Sequence, residues 1–221
     1  MKTKTEKNAM SFLENDRQIR SGLISSLVLL LLSVTQIVNA QNTWGIKVLA
    51  GASCQSELLK ISDNTDLQFA YGVGVTNNTQ FSEVFAMQTG LEYNKKGMQQ
   101  NENNAELENT FHYLTLPILA EFSSGEKAGL KNGKQLFFAV GPYLSYLINS
   151  KSELNGISAE IERDIRNYDI GMRINLGFEF PSFNTHKLRV GLNYDMGFTD
   201  IYKTQADLQN KMCSVSLGYI F

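Results

Sequence analysis

Residues 168–180, YDIGMRINLGFEF, divide by parity into two chemically opposite sets. Tyr168, Ile170, Met172, Ile174, Leu176, Phe178 and Phe180 are apolar or aromatic, whereas Asp169, Gly171, Arg173, Asn175, Gly177 and Glu179 are small, polar or charged. A period of two sends successive side chains to opposite faces of an extended chain, so the run predicts a two-faced strand. The pattern recurs. Leu188, Val190, Leu192, Tyr194, Met196 and Phe198 alternate with Arg189, Gly191, Asn193, Asp195, Gly197 and Thr199. Cys213, Val215, Leu217, Tyr219 and Phe221 do the same at the end of the chain, and Trp44, Ile46, Val48 and Ala50 nearer its start. Weaker alternation at about 68–76, 84–94, 111–122 and 135–148 brings the prediction to eight strands.

The face without large apolar groups decides the solvent. It carries glycines (45, 72, 74, 171, 177, 191 and 197 among them) together with Lys47, Glu92, Glu121, Arg173, Glu179, Arg189 and Asp195. Such a face cannot form the dry interior of a soluble barrel or sandwich. Turned into a narrow lumen it can pack as small residues and ion pairs, while the apolar face meets lipid. The expected fold is therefore all-β, an eight-stranded antiparallel up-and-down transmembrane β-barrel of the outer-membrane kind. Strands of about 9–11 residues span the membrane when tilted, and closure satisfies every backbone group that hydrocarbon cannot. Trp44, Tyr93, Tyr146, Tyr194, Phe198, Tyr219 and Phe221 lie near strand ends, where aromatic girdles belong. Long connections at about 54–67, 95–110, 149–167 and 200–211 are expected outside the cell, with shorter turns such as 181–186 and both termini in the periplasm. Residues 123–134 are long for such a turn. Pro117 and Pro142 each imply a bulge or a missing ladder bond.

The N-terminus reads as an address. Lys2, Lys4, Lys7, Arg17 and Arg20 precede an uncharged apolar run at 23–38, closed by Val38-Asn39-Ala40. These are the parts of a secretory signal, and the apolar run would rise only about 24 Å as a helix, short of a bilayer core. The expected organisation is a signal peptide at 1–40 and a barrel domain at 41–221, with Met1 or Met10 as the start. The nearest thiol, Cys54, lies too far from the cut for a lipoprotein.

Composition narrows the function more than it names it. Seventeen glycines against three prolines favour strands and turns, and a net charge of −2 lacks the basic excess of a nucleic-acid binder. His112 and His186 are the two histidines. His112, at the outer end of its strand with Ser150, Ser152 or Ser214 on nearby rims, is the one candidate base for a lipid hydrolase or acyltransferase. The acidic set Glu102, Glu106 and Glu108 and the mixed run Glu160, Glu162, Arg163, Asp164 and Arg166 lack the ligand spacing of a calcium loop. No Cys/His cluster has zinc spacing, and Gly72-Val73-Gly74 lacks the Lys-Ser/Thr of a phosphate loop. No catalytic, cofactor or metal residue is assigned. The remaining constellation is ionic. Arg173 and Arg189, on adjacent strands, have Asp169, Glu179, Asp195 and Glu121 available as a lumen plug, since unpaired buried charges are costly. Cys54 and Cys213 fall at the outer ends of the first and last strands, neighbours in a closed barrel, and are candidates for a disulfide across the seam.

The segments YLTLP at 113–117, GPYLSYL at 141–147, the strand at 168–180 and the terminal YIF at 219–221 resemble the PorT-like outer-membrane β-barrel family over roughly residues 43–221. The resemblance implies a barrel in the outer membrane. It also implies that the C-terminal aromatic is read by the outer-membrane assembly machinery. It implies no chemistry, and a secretion role belongs to one branch only. The leading expectation is a non-enzymatic barrel with a plugged lumen, embedded in outer-membrane lipid, whose long loops meet an unknown partner. The alternatives are a rim-active lipid hydrolase or acyltransferase and a soluble ligand-binding barrel.

Overall fold

Two-residue periodicity becomes strand throughout the computed structural model, which describes residues 41–56, 67–102, 105–124, 133–154, 157–158, 165–182, 186–203 and 208–221. The predicted signal peptide at 1–40 lies outside them. The strands are β1 (Gln41–Ser56), β2 (Gln68–Gln80), β3 (Phe85–Glu102), β4 (Ala105–Ser123), β5 (Gln135–Leu154), the two-residue β6 (Ile157–Ser158), β7 (Tyr168–Pro181), β8 (Lys187–Gly197) and β9 (Gln209–Ile220). Each long strand pairs antiparallel with its neighbours, and β1 pairs with β9, so eight strands close a barrel with β6 appended to the end of β5.

Closure is staggered. Following the register from Asn42 through Thr79, Met87, Ala120, Val140, Ile174, Tyr194 and Cys213 returns to β1 at Ala52. That stagger tilts the strands and keeps the barrel narrow enough for side chains to fill it. The alternating sets separate as the sequence pattern predicts. Ile170, Ile174, Leu176, Leu192, Val215 and Leu217 are exposed on the outside, and Asp169, Arg173, Asn175, Arg189, Asn193 and Asp195 are buried inside. An outer surface this apolar with an ionic interior is the inverse of a soluble barrel, which removes that alternative.

One local expectation is corrected. The segment 95–110 is wall rather than loop, because β3 and β4 remain paired up to Glu102 and Ala105. Its alternation fades since, beyond the lipid, neither face needs large apolar groups. The prolines meet the second of the two outcomes expected of them: β4 and β5 keep one register on both sides of Pro117 and Pro142, with bridges missing at Ile118 and Leu119, while the register shift lies between His112 and Tyr113. Gly141 makes this tight passage workable, since a Cβ there would come within 2.2 Å of the Ile118 carbonyl oxygen. The described residues near 165 and 201 pack against the barrel end, as described next.

Candidate functional site in the lumen

The barrel has a near end, where Gln41 and Phe221 lie, and a far end, where β3, β4 and β5 extend. Between them the inward residues form three layers. In the middle, Arg173 of β7 is 1% exposed and forked between two carboxylates. Its Nε and Nη2 donate to Asp195 at 2.6 and 2.8 Å, and its Nη1 donates to both oxygens of Glu92 at 2.8 and 2.7 Å. Glu92 also receives Lys47 Nζ at 2.6 Å. Lys96 Nζ lies 3.3 Å from Asp195 and 4.0 Å from Asp169, over the ring of Tyr143. Asp169 accepts from Tyr143 Oη and Asn210 Nδ2, each at 3.3 Å. Three cations and three carboxylates thus neutralise one another, the condition for burying charge at a tolerable cost. Gly74 leaves the room: a Cβ there would sit 2.7 Å from Glu92 Cγ.

Toward the near end, Arg189 of β8 repeats the fork. Its Nη1 and Nη2 donate to Glu121 at 2.7 and 2.9 Å, and its Nε donates to Glu179 at 3.2 Å. Phe137 lies under the guanidinium, 4.3 Å from ring centre to Cζ, and Lys187 Nζ meets Glu179 at 2.6 Å. Below this layer a polar cavity of about 580 Å³ opens, with Gln41, Asn78, Glu83, Gln135 and Phe221 among its walls. The far end is closed by apolar packing instead. Phe111 and Tyr113 of β4 are covered by Ile201 and Tyr202, with Leu147, Ile165 and Leu208 around them. The cap is held by the Ile201 amide on the Leu208 carbonyl at 2.9 Å and the Arg166 amide on the Ile201 carbonyl at 2.8 Å.

Of the six ion-pair candidates, the structure joins Arg173 to Asp195 and Arg189 to Glu121 and Glu179. Asp169 meets Lys96 rather than an arginine. Lys47 and Glu92 lie on the polar parity, but parity does not reveal cross-lumen partners; Lys96 falls in the segment misread as loop. Cys54 and Cys213 do sit on the paired strands β1 and β9, facing outward, but Cys54 is opposite Lys211 and Cys213 opposite Ala52. That two-residue offset makes them diagonal neighbours, farther apart than a disulfide accepts, and both thiols are free.

His112 Nδ1 is hydrogen-bonded to Tyr93 Oη at 2.6 Å, and the rings stack. Of the serines expected beside it, Ser152 donates to Asn109 at 2.7 Å, Ser214 faces the lumen opposite Asn193, and Ser150 is exposed opposite Phe111. His186 stacks on Tyr219. Glu108 takes Gln68 Nε2 and lies 3.7 Å from Lys95, while the side chains of Glu102, Glu106, Glu160, Glu162, Arg163 and Asp164 lie outside the described residues.

Solved structures share this architecture at low identity. OprG of Pseudomonas aeruginosa, an outer membrane protein, is 13% identical with a TM-score of 0.52, covering 84% of this chain and 98% of its own. Ail of Yersinia pestis is 12% identical with a TM-score of 0.44, covering 82% and 99%. Neisserial surface protein A is 9% identical with a TM-score of 0.47, covering 82% and 99%. No curated protein sequence matches the chain. The family model described as the outer membrane protein beta-barrel domain matches residues 36–203, and the chain belongs to that family, a barrel of the cell outer membrane.

Proposed function

We propose, from the premise of that membership, that the protein is a non-enzymatic outer-membrane barrel with a plugged lumen. Its far-end wall meets a partner outside the cell, and its near end opens to the periplasm. The observation that carries the plug is the pair of arginine forks spanning the lumen, with an apolar cap beyond them. The wall reading rests on strand length. Strands β3, β4 and β5 have 18, 19 and 20 residues, against 11 and 12 for β8 and β9. Among the described residues β3 has no β2 partner beyond Lys95, and β5 no β7 partner beyond Tyr146. Between the Leu147 amide, which bonds the Asn167 carbonyl, and Glu153, which pairs with β6, the β5 edge has no strand partner on that side among the described residues and suits an extended partner segment adding by main-chain hydrogen bonds. The motifs at 113–117 and 141–147 support a place near the PorT-like branch, and Phe221, exposed at the end of the last strand, supports recognition by the assembly machinery.

A photocrosslinker at Ile148, on the unpaired stretch of β5, tests the wall in intact cells. A discrete crosslinked partner from Ile148 and none from Gln135 at the near end is the expected result. Equal background from both positions would remove the partner reading. A changed lipid profile on His112→Ala would restore the enzyme.

A further inference from the structure

Between the two charge layers lies a narrow pocket of about 10 Å³, bordered by Lys47, Thr76, Gln88, Asn175, Arg189 and Ser216 among others. That is room for one water molecule. Gln88 and Asn175 are 3% and 2% exposed, and Gln88 Oε1 and Asn175 Oδ1 have no hydrogen-bond partner. An unsatisfied buried amide oxygen is costly, so two such atoms beside one void call for a shared donor.

We propose that the void is a site for a single structural water, which donates to Asn175 Oδ1 and bonds the Gln88 amide. The occupant's chemistry follows from its neighbours. Thr76, Ser216 and the two amides offer neutral oxygens that a monovalent cation also accepts, but Lys47 and Arg189 on the same walls repel one. Amide orientation points the same way. Turning Asn78 brings its oxygen to Arg189 at 3.1 and 3.2 Å and its NH₂ to the Gln88 amide at 3.2 Å. Gln88 then turns as well and presents NH₂ to the void. Water serves that arrangement as acceptor and the other as donor, whereas a metal cation serves only one. The water links the Arg189 layer to the Lys47–Glu92–Arg173 layer, so the lumen becomes one hydrogen-bonded network. The proposal concerns the inside of the same plug; an empty void would leave a non-conducting barrel intact, so the two fail separately.

Crystals grown in rubidium chloride test it. One density peak within hydrogen-bond reach of Gln88 and Asn175, without rubidium anomalous signal, is expected. A rubidium peak, or an empty void in a map that resolves other buried waters, overturns the proposal. In detergent solution, magnetisation transfer from a long-lived water to the Asn175 side-chain amide should be present in the native barrel. It should be lost in Ser216→Val, which fills the void with methyl groups, and kept in Ser145→Ala at the other end of the lumen. If Ser216→Val fails to fold, absence of the transfer in the native protein alone contradicts the site.

Discussion

Arg173 and Arg189 hold the same kind of fork in different surroundings. Around Arg173 the charges are deeply buried: Glu92 is fully buried, and the cluster lies between the apolar packing on one side and the Arg189 layer on the other. Arg189 borders the near-end cavity, and its neighbour Lys187 is 43% exposed. The difference lies in what happens when a partner is removed. A carboxylate left alone in the middle layer has no solvent to fall back on, whereas Glu121 and Glu179 can be rehydrated from the cavity. Identical hydrogen-bond counts therefore carry different consequences, and depth along the lumen decides what the loss of each arginine costs.

The strongest way to break this comparison is Arg173→Met. It leaves Glu92 with Lys47 alone and Asp195 with Lys96 alone, three buried carboxylates against two lysines, and should cost about 3–5 kcal/mol of unfolding free energy, read by urea titration of the barrel in lipid vesicles. A loss no larger than that of Arg189→Met would erase the distinction between the layers. Next comes the wall that separates lumen from lipid. Ile174→Arg places a charge against mid-bilayer hydrocarbon and should cost about 2–4 kcal/mol, while Asn175→Arg, one residue on, enters a polar lumen and should assemble better. Equal assembly yields would contradict the facing of β7. Arg189→Met should lose about 1.5–3 kcal/mol, the worth of hydrogen bonds to charged groups where water can reach the remainder. The smallest effect belongs outside the lumen altogether. Tyr93→Phe removes the Tyr93–His112 hydrogen bond and should cost about 0.5–1.5 kcal/mol in the same titration, with no further change in His112→Ala. Additive losses in the double variant would show that the pair does not act together.

How much of this was legible follows from what a linear pattern encodes. Parity gave the barrel, its strand number and its facing, because lipid and lumen impose opposite chemistry on alternate residues such as Ile174 and Asn175. Where that contrast ends, legibility ends with it. The extension of β3 and β4 through residues 95–102 and 105–110 shows no apolar–polar alternation in sequence, so Lys96 was hidden there. The partners Lys47 and Glu92 were visible as inward charges, but their meeting with Arg173 depends on strands from opposite parts of the sequence crossing one lumen. The cap was hidden for a third reason. Ile165, Ile201 and Tyr202 are isolated apolar residues in polar connections, and only the closed barrel supplies Phe111 and Tyr113 as the surface they cover.

The central claim is that these charges and the cap close the lumen. Single-channel recording of the purified, folded barrel in planar bilayers tests it most directly. The account predicts a flat trace, with no reproducible conductance at either polarity. Stable ohmic steps from the native protein would contradict it.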